Sequence, residues 1–154
     1  MKEADNIKVI ARNRKARHDF QIKDTIEAGI ELLGTEVKSI RDGKIQISDA
    51  YAFIENGEIF LKNLHISPYG KDSSEGYDPI RVRRLLLHKR EIRKLAVQLD
   101  LRGMSLIPIT IYFIGKVAKI ELAVAAGRKK YDKRQAIAKS EARRKISRAM
   151  KKDY

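Results

Sequence analysis

The last 27 residues of this 154-residue chain are too basic, and too poor in large apolar side chains, to belong to a packed core. Residues 128–154 contain twelve Lys or Arg against three acids, and so carry +9 of the net charge of +14. Their sizeable apolar groups are Tyr131, Ile137, Ile146, Met150 and Tyr154. We therefore expect a folded domain over residues 1–127 and a basic tail over residues 128–154 that is disordered when free.

The charge of the tail points to a polyanionic partner, because blocks of like charge are commonly interaction arms. Ala142, Ile146, Ala149 and Met150 fall at i, i+4, i+7 and i+8, which is the spacing of one narrow helix face. The tail is therefore predicted to fold as a helix on RNA. The alternative is a solvated tail that only improves solubility.

The remaining composition restricts the class of protein. The chain has no Cys, which excludes disulfides, thiolate zinc sites and Cys nucleophiles. The first residues lack a signal-peptide core, and the longest apolar run, residues 104–114, is too short to span a membrane. We expect a cytoplasmic protein without membrane contact.

Period-two patterns predict a mainly β body. Residues 20–32 alternate, then Thr35 is predicted to cap a short helix that Gly43 ends. A strand over residues 45–55 meets the hairpin signal Asn56-Gly57 and returns through residues 59–66, with a bulge between Leu61 and Leu64.

The second half of the body begins with a Pro, Gly, Ser and Asp-rich loop over residues 67–80. An amphipathic helix follows, with Ile92, Leu95 and Leu99 on one face, and two strands span residues 105–114 and 117–125. Pro108 requires a sheet edge or a bulge. Together these elements predict a small antiparallel OB-like barrel with flanking short helices.

The sequence offers little for catalysis or metal binding. Gly29 and Gly34 have the spacing of a phosphate-binding loop, but Thr35 stands where that loop needs Lys. His18, His65 and His88 are far apart, and no cofactor is expected. Glu27, Glu31 and Glu36 are the most that a divalent-metal nuclease could use, and pairing of these acids with nearby cations is the simpler interpretation.

Five segments identify a family. These are NRKARHDF from Asn13, EAGIELLGTEVKSIRDG from Glu27, ISDAYAFIENGEIFL from Ile47, PIRVRRLLLHKREI from Pro79 and GRKKYDKR from Gly127. They resemble the SsrA-binding proteins, also called small protein B, from about residue 13 to the end of the chain. The resemblance implies an OB-like barrel with flanking helices and a tail disordered in the free protein.

The resemblance also implies a function. It predicts an RNA-binding, non-enzymatic monomer that binds the tRNA-like domain of transfer-messenger RNA (SsrA RNA) and delivers it to stalled ribosomes for trans-translation. Elongation factor Tu and alanyl-tRNA synthetase would be partners indirectly, through the RNA. The tail would enter the empty mRNA channel of the small subunit and meet the decoding centre.

Four residues carried over from the family would form the RNA-binding surface: Asn13, Glu27, Leu86 and Lys119. A carboxylate facing RNA is tolerable only if it accepts hydrogen bonds from base or sugar donors, so Glu27 is expected to give specificity. The alternative for Glu27 is an internal ion pair with an Arg such as Arg17.

Further RNA-binding candidates are Arg17, His18, Lys38 and Arg41. The cations suit phosphate, and His18 can stack on a base or be buried beside Phe20. Arg81, Arg83 and Arg84 can reach RNA or merely solubilise the apolar run that follows them. In the tail, the candidates for ribosome contact are Lys130, Tyr131, Asp132, Lys133, Arg134, Ile146 and Met150. Apart from the adaptor, two function classes stay open: a ribosome-associated or general structured-RNA-binding barrel, and an RNA-cleaving enzyme.

Overall fold

Strands dominate the computed structural model, which describes residues 6–70, 76–101 and 103–127. The elements in chain order are β1 (Ile7–Arg12), α1 (Arg14–Asp19), β2 (Phe20–Ile30), α2 (Gly34–Arg41), β3 (Ile45–Gln46), β4 (Tyr51–Glu55), β5 (Glu58–Lys62), β6 (His65–Ile66), β7 (Arg83–Leu86), α3 (Lys89–Leu99), β8 (Met104–Ile114) and β9 (Val117–Gly127). None of the helices in these ranges is long and apolar enough to cross a membrane.

Six antiparallel strands close into a barrel. The hydrogen-bonded order is β8-β4-β5-β7-β2-β9, and pairing of β9 with β8 completes the ring. The strand β8 has three partners. One edge pairs with β9, and the other edge is shared, because Leu106 near the start of β8 pairs with Ala52 of β4, whereas residues 110–114 pair with β1. The predicted small antiparallel barrel with short helices is confirmed.

The main core fills the barrel and continues under α2 and α3. Its fully buried side chains include Ile40, Ile59, Leu64, Ile111 and Ile120. A second, smaller cluster lies outside the barrel wall, where α1 covers β8 and β9 through Ala16, Ile107, Ile109, Ala123 and Ala125. Apolar contacts on both faces explain why residues 104–114 lack alternation in the sequence.

Several local predictions are confirmed. Asn56 and Gly57 both have positive φ, at 54° and 77°, as a tight hairpin between β4 and β5 requires. The pairing of β8 with β9 shifts register between Pro108 and Thr110, which is the predicted bulge. Gly43 ends α2 with φ of 75°.

Other predictions are wrong. Thr35 does not cap α2; instead, the Glu36 carboxylate accepts from the Leu33 N–H at 2.7 Å. The predicted strand over residues 45–55 is two strands, because the Ala50 N–H donates to the Ile47 carbonyl and forms a turn between them. Similarly, residues 59–66 form β5 and β6, with Asn63 at φ of 63° between them.

Three elements were not predicted: β1, α1 and β7. Each is short or rich in charged side chains, so its apolar pattern is weak. Residues 71–75 of the long loop and the whole tail, 128–154, lie outside the described residues. The predictions made for the tail, including its helix and its disorder when free, therefore stay predictions.

Candidate nucleic-acid interface

The register of β2 brings three of the predicted RNA-binding residues to one face of the barrel. Gly29 lies opposite Leu86 of β7 on one side and opposite Lys119 of β9 on the other. Directly opposed residues point to the same side of a sheet, so Leu86 and Lys119 flank Gly29. Glu27 lies two positions earlier on β2 and points the same way.

Glycine at position 29 allows Leu86 to lie over the β2 backbone. A Cβ at this position would be 3.2 Å from Leu86 Cβ and 3.3 Å from Leu86 Cδ1, closer than side chains normally pack. The Leu86 side chain nevertheless remains exposed, with 46% of its surface accessible. An apolar group is thus held at the surface between charged neighbours, where it can contact a base or a ribose.

Glu27 is held by a tyrosine. The Tyr112 hydroxyl, on β8, donates a hydrogen bond to Glu27 Oε2. Burial raises the pKa of Tyr112, and so do the hydrogen bond to Glu27 and the charge of that carboxylate, so the phenol remains a donor. Glu27 Oε1 has no protein hydrogen bond among the described contacts, and Glu27 itself is exposed.

The internal ion pair considered for Glu27 is not formed with Arg17. Among the described residues, none of the ion pairs within 4.0 Å includes Glu27. Its opposite neighbour on β9 is a second carboxylate, Glu121, which accepts a 3.3 Å hydrogen bond from the Thr110 hydroxyl. Two acids side by side give this face hydrogen-bond acceptors, which suit a partner that donates hydrogen bonds.

Arg12 extends the row of Glu27 and was not predicted. It lies at the end of β1, opposite Thr110 of β8. The same row continues across the sheet from Thr110 to Glu121 of β9 and then to Glu27 of β2. The Arg12 side chain is exposed. Its position places a cation in the same row as the acidic pair, on the far side of Thr110. The strand β1 itself could not be recognised in the sequence, so no signal pointed to Arg12.

Asn13 has a structural role within the barrel. It is 3% exposed, its side chain oxygen accepts from the Ala16 N–H at 3.0 Å at the start of α1, and its Nδ2 donates to the Pro108 carbonyl at 3.0 Å. Asn13 therefore fixes the start of α1 against β8. It does not share the exposed face of Glu27, Leu86 and Lys119.

The helix α1 presents Arg17 and His18 to solvent. The His18 side chain is 66% exposed, and its Nδ1 lies 3.1 Å from Asp19 Oδ1. The suggestion that His18 is buried beside Phe20 is wrong, since the helix turns it outward. Both side chains are accessible to RNA.

On α2, Lys38 and Arg41 are exposed and lie near aromatic rings. Lys38 Nζ is 5.6 Å from the centre of the Tyr69 ring, and Arg41 Cζ is 5.4 Å from the centre of the Phe113 ring. The rings restrain the cations without neutralising them. Lys38 and Arg41 can thus still bind phosphate.

The arginines of residues 81–84 divide into different roles. Arg83 is fully buried and donates from Nε and Nη2 to Glu36 Oε2 at 2.9 and 2.5 Å, and from Nη1 to the Leu64 carbonyl at 2.6 Å. Arg81 donates to both oxygens of Glu36. Only Arg84 is exposed, and it pairs with Glu58 at 2.6 Å. Arg83 is thus a structural residue, unlike either role considered for it.

Glu36 is consequently unavailable to a metal ion with Glu27 and Glu31. Burial opposes its ionisation, but hydrogen bonds from Arg81, the Leu33 N–H and Arg83 outweigh burial and lower the pKa of Glu36 to about 2. No group of three or more His, Asp or Glu suited to a metal ion occurs in the described ranges. The predicted tail contacts, from Lys130 to Arg134 with Ile146 and Met150, lie outside those ranges.

Comparison with known proteins identifies the family. The model of the family described as SmpB protein matches residues 10–152. The chain is 59% identical over 147 residues to the SsrA-binding protein of Halothermothrix orenii, covering 96% of this chain and 95% of the relative. It is 56% identical to the SsrA-binding protein of Caldicellulosiruptor saccharolyticus, with 96% and 93% covered.

A solved structure agrees with these relatives. A chain described by the words "tmRNA-SmpB: a journey to the center of the bacterial ribosome" superposes with a TM-score of 0.68 and is 48% identical, covering 81% of this chain and 87% of the other. Both the sequence and the fold are therefore shared with one family. This chain belongs to the SmpB family of SsrA-binding proteins.

Proposed function

We propose that this chain is an RNA-binding adaptor that binds the tRNA-like domain of tmRNA and delivers it to stalled ribosomes for trans-translation. Membership of the SmpB family and the likeness to the tmRNA-SmpB structure support this function. The observation that carries it here is the exposed face on which Glu27, Leu86 and Lys119 surround Gly29. It combines an acceptor, an apolar group and a cation, as recognition of RNA by shape requires.

The proposed division of labour follows from the distribution of charge. The barrel, over residues 1–127, would recognise the RNA, while the tail would occupy the empty mRNA channel and the decoding centre. Elongation factor Tu and alanyl-tRNA synthetase would act on the same RNA without contacting this face. We further propose that the chain works in the cytoplasm as a monomer. We also propose that it catalyses no reaction, because Glu36, the buried one of the three acids considered for a metal site, is neutralised by Arg81 and Arg83.

Equilibrium binding at two salt concentrations tests this function. The full chain and a chain ending at Gly127 are titrated with the tRNA-like domain, an ordinary tRNA and a plain RNA duplex. Both chains are expected to prefer the tRNA-like domain at either salt concentration. Counterion release strengthens binding to any RNA and weakens with salt, whereas contacts to bases and riboses distinguish one RNA from another. Loss of preference at high salt would instead support a general structured-RNA-binding barrel.

Matched variants locate the site. Lys119→Ala is expected to weaken binding to the tRNA-like domain, whereas Lys116→Ala, in the exposed turn between β8 and β9, serves as the control.

Ending the chain at Gly127 is expected to abolish tagging of stalled products while RNA binding persists. If RNA binding and tagging disappear together, recognition does not reside in the barrel. Magnesium-dependent loss of RNA that Glu31→Ala abolishes would indicate an enzyme instead.

A further inference from the structure

The outer face of strand β1 carries exposed apolar side chains next to the residues assigned above to RNA recognition. Val9 lies opposite Tyr112 of β8, and Tyr112 lies opposite Lys119 of β9. Val9 is 38% exposed, and Ile7, two positions earlier, is 44% exposed. Directly opposed residues point to the same side of a sheet, so Val9 extends the face that holds Lys119 as far as β1.

A bulge in β1 turns Arg12 to the same face. The register shifts between Val9 and Ala11, so that three steps along β1 match two steps along β8. Without the extra step, Arg12 would have the parity of the residues that point to the core. It is exposed instead, and none of the ion pairs within 4.0 Å in the described part of the chain includes it.

The ring of Tyr112 forms a flat platform on this face. Neighbouring strands lie about 4.8 Å apart, so the Tyr112 hydroxyl reaches Glu27, two strands away, only if the side chain lies along the sheet over β9. One face of the ring is thus turned towards β9 and the other towards solvent, in agreement with the half-buried state of Tyr112. The hydrogen bond to Glu27 holds the ring in this orientation.

These groups suit an unpaired nucleotide. Aromatic rings stack on unpaired bases, whereas the bases of a duplex already have their faces covered. Arg12 and Lys119 supply cations for phosphate near the ring, which favours a nucleic acid over an apolar protein segment. The rows of Arg12 and Tyr112 are two residues, or about 7 Å, apart along β8, so one nucleotide can contact both.

We propose that the outer face of β1 belongs to the RNA interface: an unpaired base of the tRNA-like domain stacks on the Tyr112 ring beside Val9, and Arg12 binds a phosphate of the same strand. The inference rests on the proposed function and extends it to a strand that no sequence pattern assigned to RNA. Glu27 and Glu121 repel phosphate, so the RNA backbone passes on the β1 side of these acids, where Arg12 lies.

A tryptophan on β1 tests the contact directly, because the chain contains no Trp. Val9→Trp places one indole beside Tyr112 and leaves the hydrogen bond to Glu27 in place. Binding of the tRNA-like domain is expected to quench the indole emission and to shield the indole from acrylamide. Lys8→Trp is the matched control, because Lys8 is exposed but lies opposite the buried Phe113 and so points to the other face. Its emission should not change.

Affinities from the same titrations separate this inference from the proposed function. If the Val9→Trp chain prefers the tRNA-like domain to a plain duplex but its emission stays unchanged, the β1 contact is overturned and the proposed function stands. If the wild-type chain shows no such preference, both are overturned. An emission change that requires ribosomes, and that the RNA alone does not cause, would assign this face to another partner and would also overturn the contact.

Salt dependence tests the role of Arg12. Arg12→Ala is expected to reduce the slope of log affinity against log salt concentration by about 0.7–0.9, the value of one phosphate contact, whereas Lys8→Ala should leave the slope unchanged. Equal slopes for the wild-type and Arg12→Ala chains would overturn the phosphate contact.

Removal of the ring tests the stacking. Tyr112→Leu and Tyr112→Phe both lose the hydrogen bond to Glu27, but only Tyr112→Phe keeps a ring. With folding checked by thermal unfolding, the leucine variant is expected to bind the tRNA-like domain roughly 5- to 150-fold more weakly than the phenylalanine variant, as loss of one stacked base requires. Equal affinities would overturn the stacking, and if the leucine variant does not fold, the Val9→Trp emission decides.

Discussion

Tyr112 of β8 reaches over the intervening strand β9 and donates a hydrogen bond to Glu27 of β2. The bond fixes one oxygen of the carboxylate and leaves the other towards solvent. The specificity expected of Glu27 therefore depends on a residue two strands away.

Tyr112→Phe removes only the hydroxyl and should free the Glu27 carboxylate to rotate. We expect affinity for the tRNA-like domain to fall about tenfold, or ~1.4 kcal/mol, because a hydrogen bond to a charged group contributes on this scale. Binding to a plain RNA duplex should change little. Titration of both RNAs measures the difference.

Tyr77→Phe is the matched control for that variant. The Tyr77 hydroxyl lies 3.1 Å from Glu36 Oε2 and 2.9 Å from the Ile66 carbonyl oxygen, inside the fold, and its one proton can be donated to either acceptor. Its loss should lower the free energy of unfolding by about 1–3 kcal/mol without lowering RNA affinity. If Tyr112→Phe lowered stability equally and left affinity unchanged, its hydrogen bond would be structural only.

The buried charge of Arg83 makes Glu36 essential for stability. Glu36→Gln would leave the fully buried guanidinium without a counter-charge, and we expect a loss of roughly 3–5 kcal/mol in the free energy of unfolding. Denaturant unfolding measures it. Glu31→Gln, at an exposed 3.8 Å pair with Arg84, should cost at most about 1 kcal/mol. Equal losses would show that Arg83 finds other acceptors.

The stability of the barrel should fall in acid because of the same carboxylate. The pKa of Glu36 is lowered from 4.5 to about 2 in the folded chain, where burial is outweighed by hydrogen bonds from Arg81, Leu33 and Arg83. Its contribution is thus fully present above about pH 4.5 and is lost as the pH falls towards 2. It amounts to the order of 3 kcal/mol, since each unit of pKa is 1.36 kcal/mol.

Urea unfolding at a series of pH values between 7 and 2 checks this dependence. The wild-type chain should lose stability steeply below pH 4.5, and the Glu36→Gln chain should lose less over the same interval. Parallel curves for the two chains would assign the acid sensitivity to other carboxylates.

Gly29→Ala tests the close approach of Leu86 to β2. The new Cβ would lie 3.2 Å from Leu86 Cβ, so the leucine must move outward. Because Leu86 is half exposed, we expect a stability loss of no more than about 1 kcal/mol but weaker binding of the tRNA-like domain. Gly34→Ala, which has no atom within 4 Å of its new Cβ, is the control. Unchanged binding would remove Leu86 from the interface.

Sequence patterns predicted the elements that have regular burial and missed those that depend on distant partners. The alternation of β2 and the Asn56-Gly57 turn are local, so both were predicted correctly. The strand β7 was missed because its buried positions include Arg83, which is neutralised by Glu36, 47 positions away. From the sequence alone, a buried charged residue such as Arg83 looks the same as a surface residue unless its counter-charge, here Glu36, is known.

The candidate site shows the same limit. Glu27, Leu86 and Lys119 came from family resemblance, and only the register of three strands reveals that they share a face. Asn13 came from the same resemblance, yet it is buried and caps α1. The roles of Arg12 and Tyr112 required knowledge of β1 and of the pairing between β8 and β9.

The three partners of β8 determine how much of the chain must be synthesised before the barrel can fold. Pairing of β8 with β1 joins residues about a hundred positions apart, and the ring cannot close until the hairpin of β8 and β9 exists. During translation, β1 and one edge of β4 therefore stay unpaired until β8 has left the ribosomal tunnel, and one edge of β2 stays unpaired until residue 127 has left it. The barrel should form late and in one step, and its folding rate should be set by this long-range closure and not by the local hairpins.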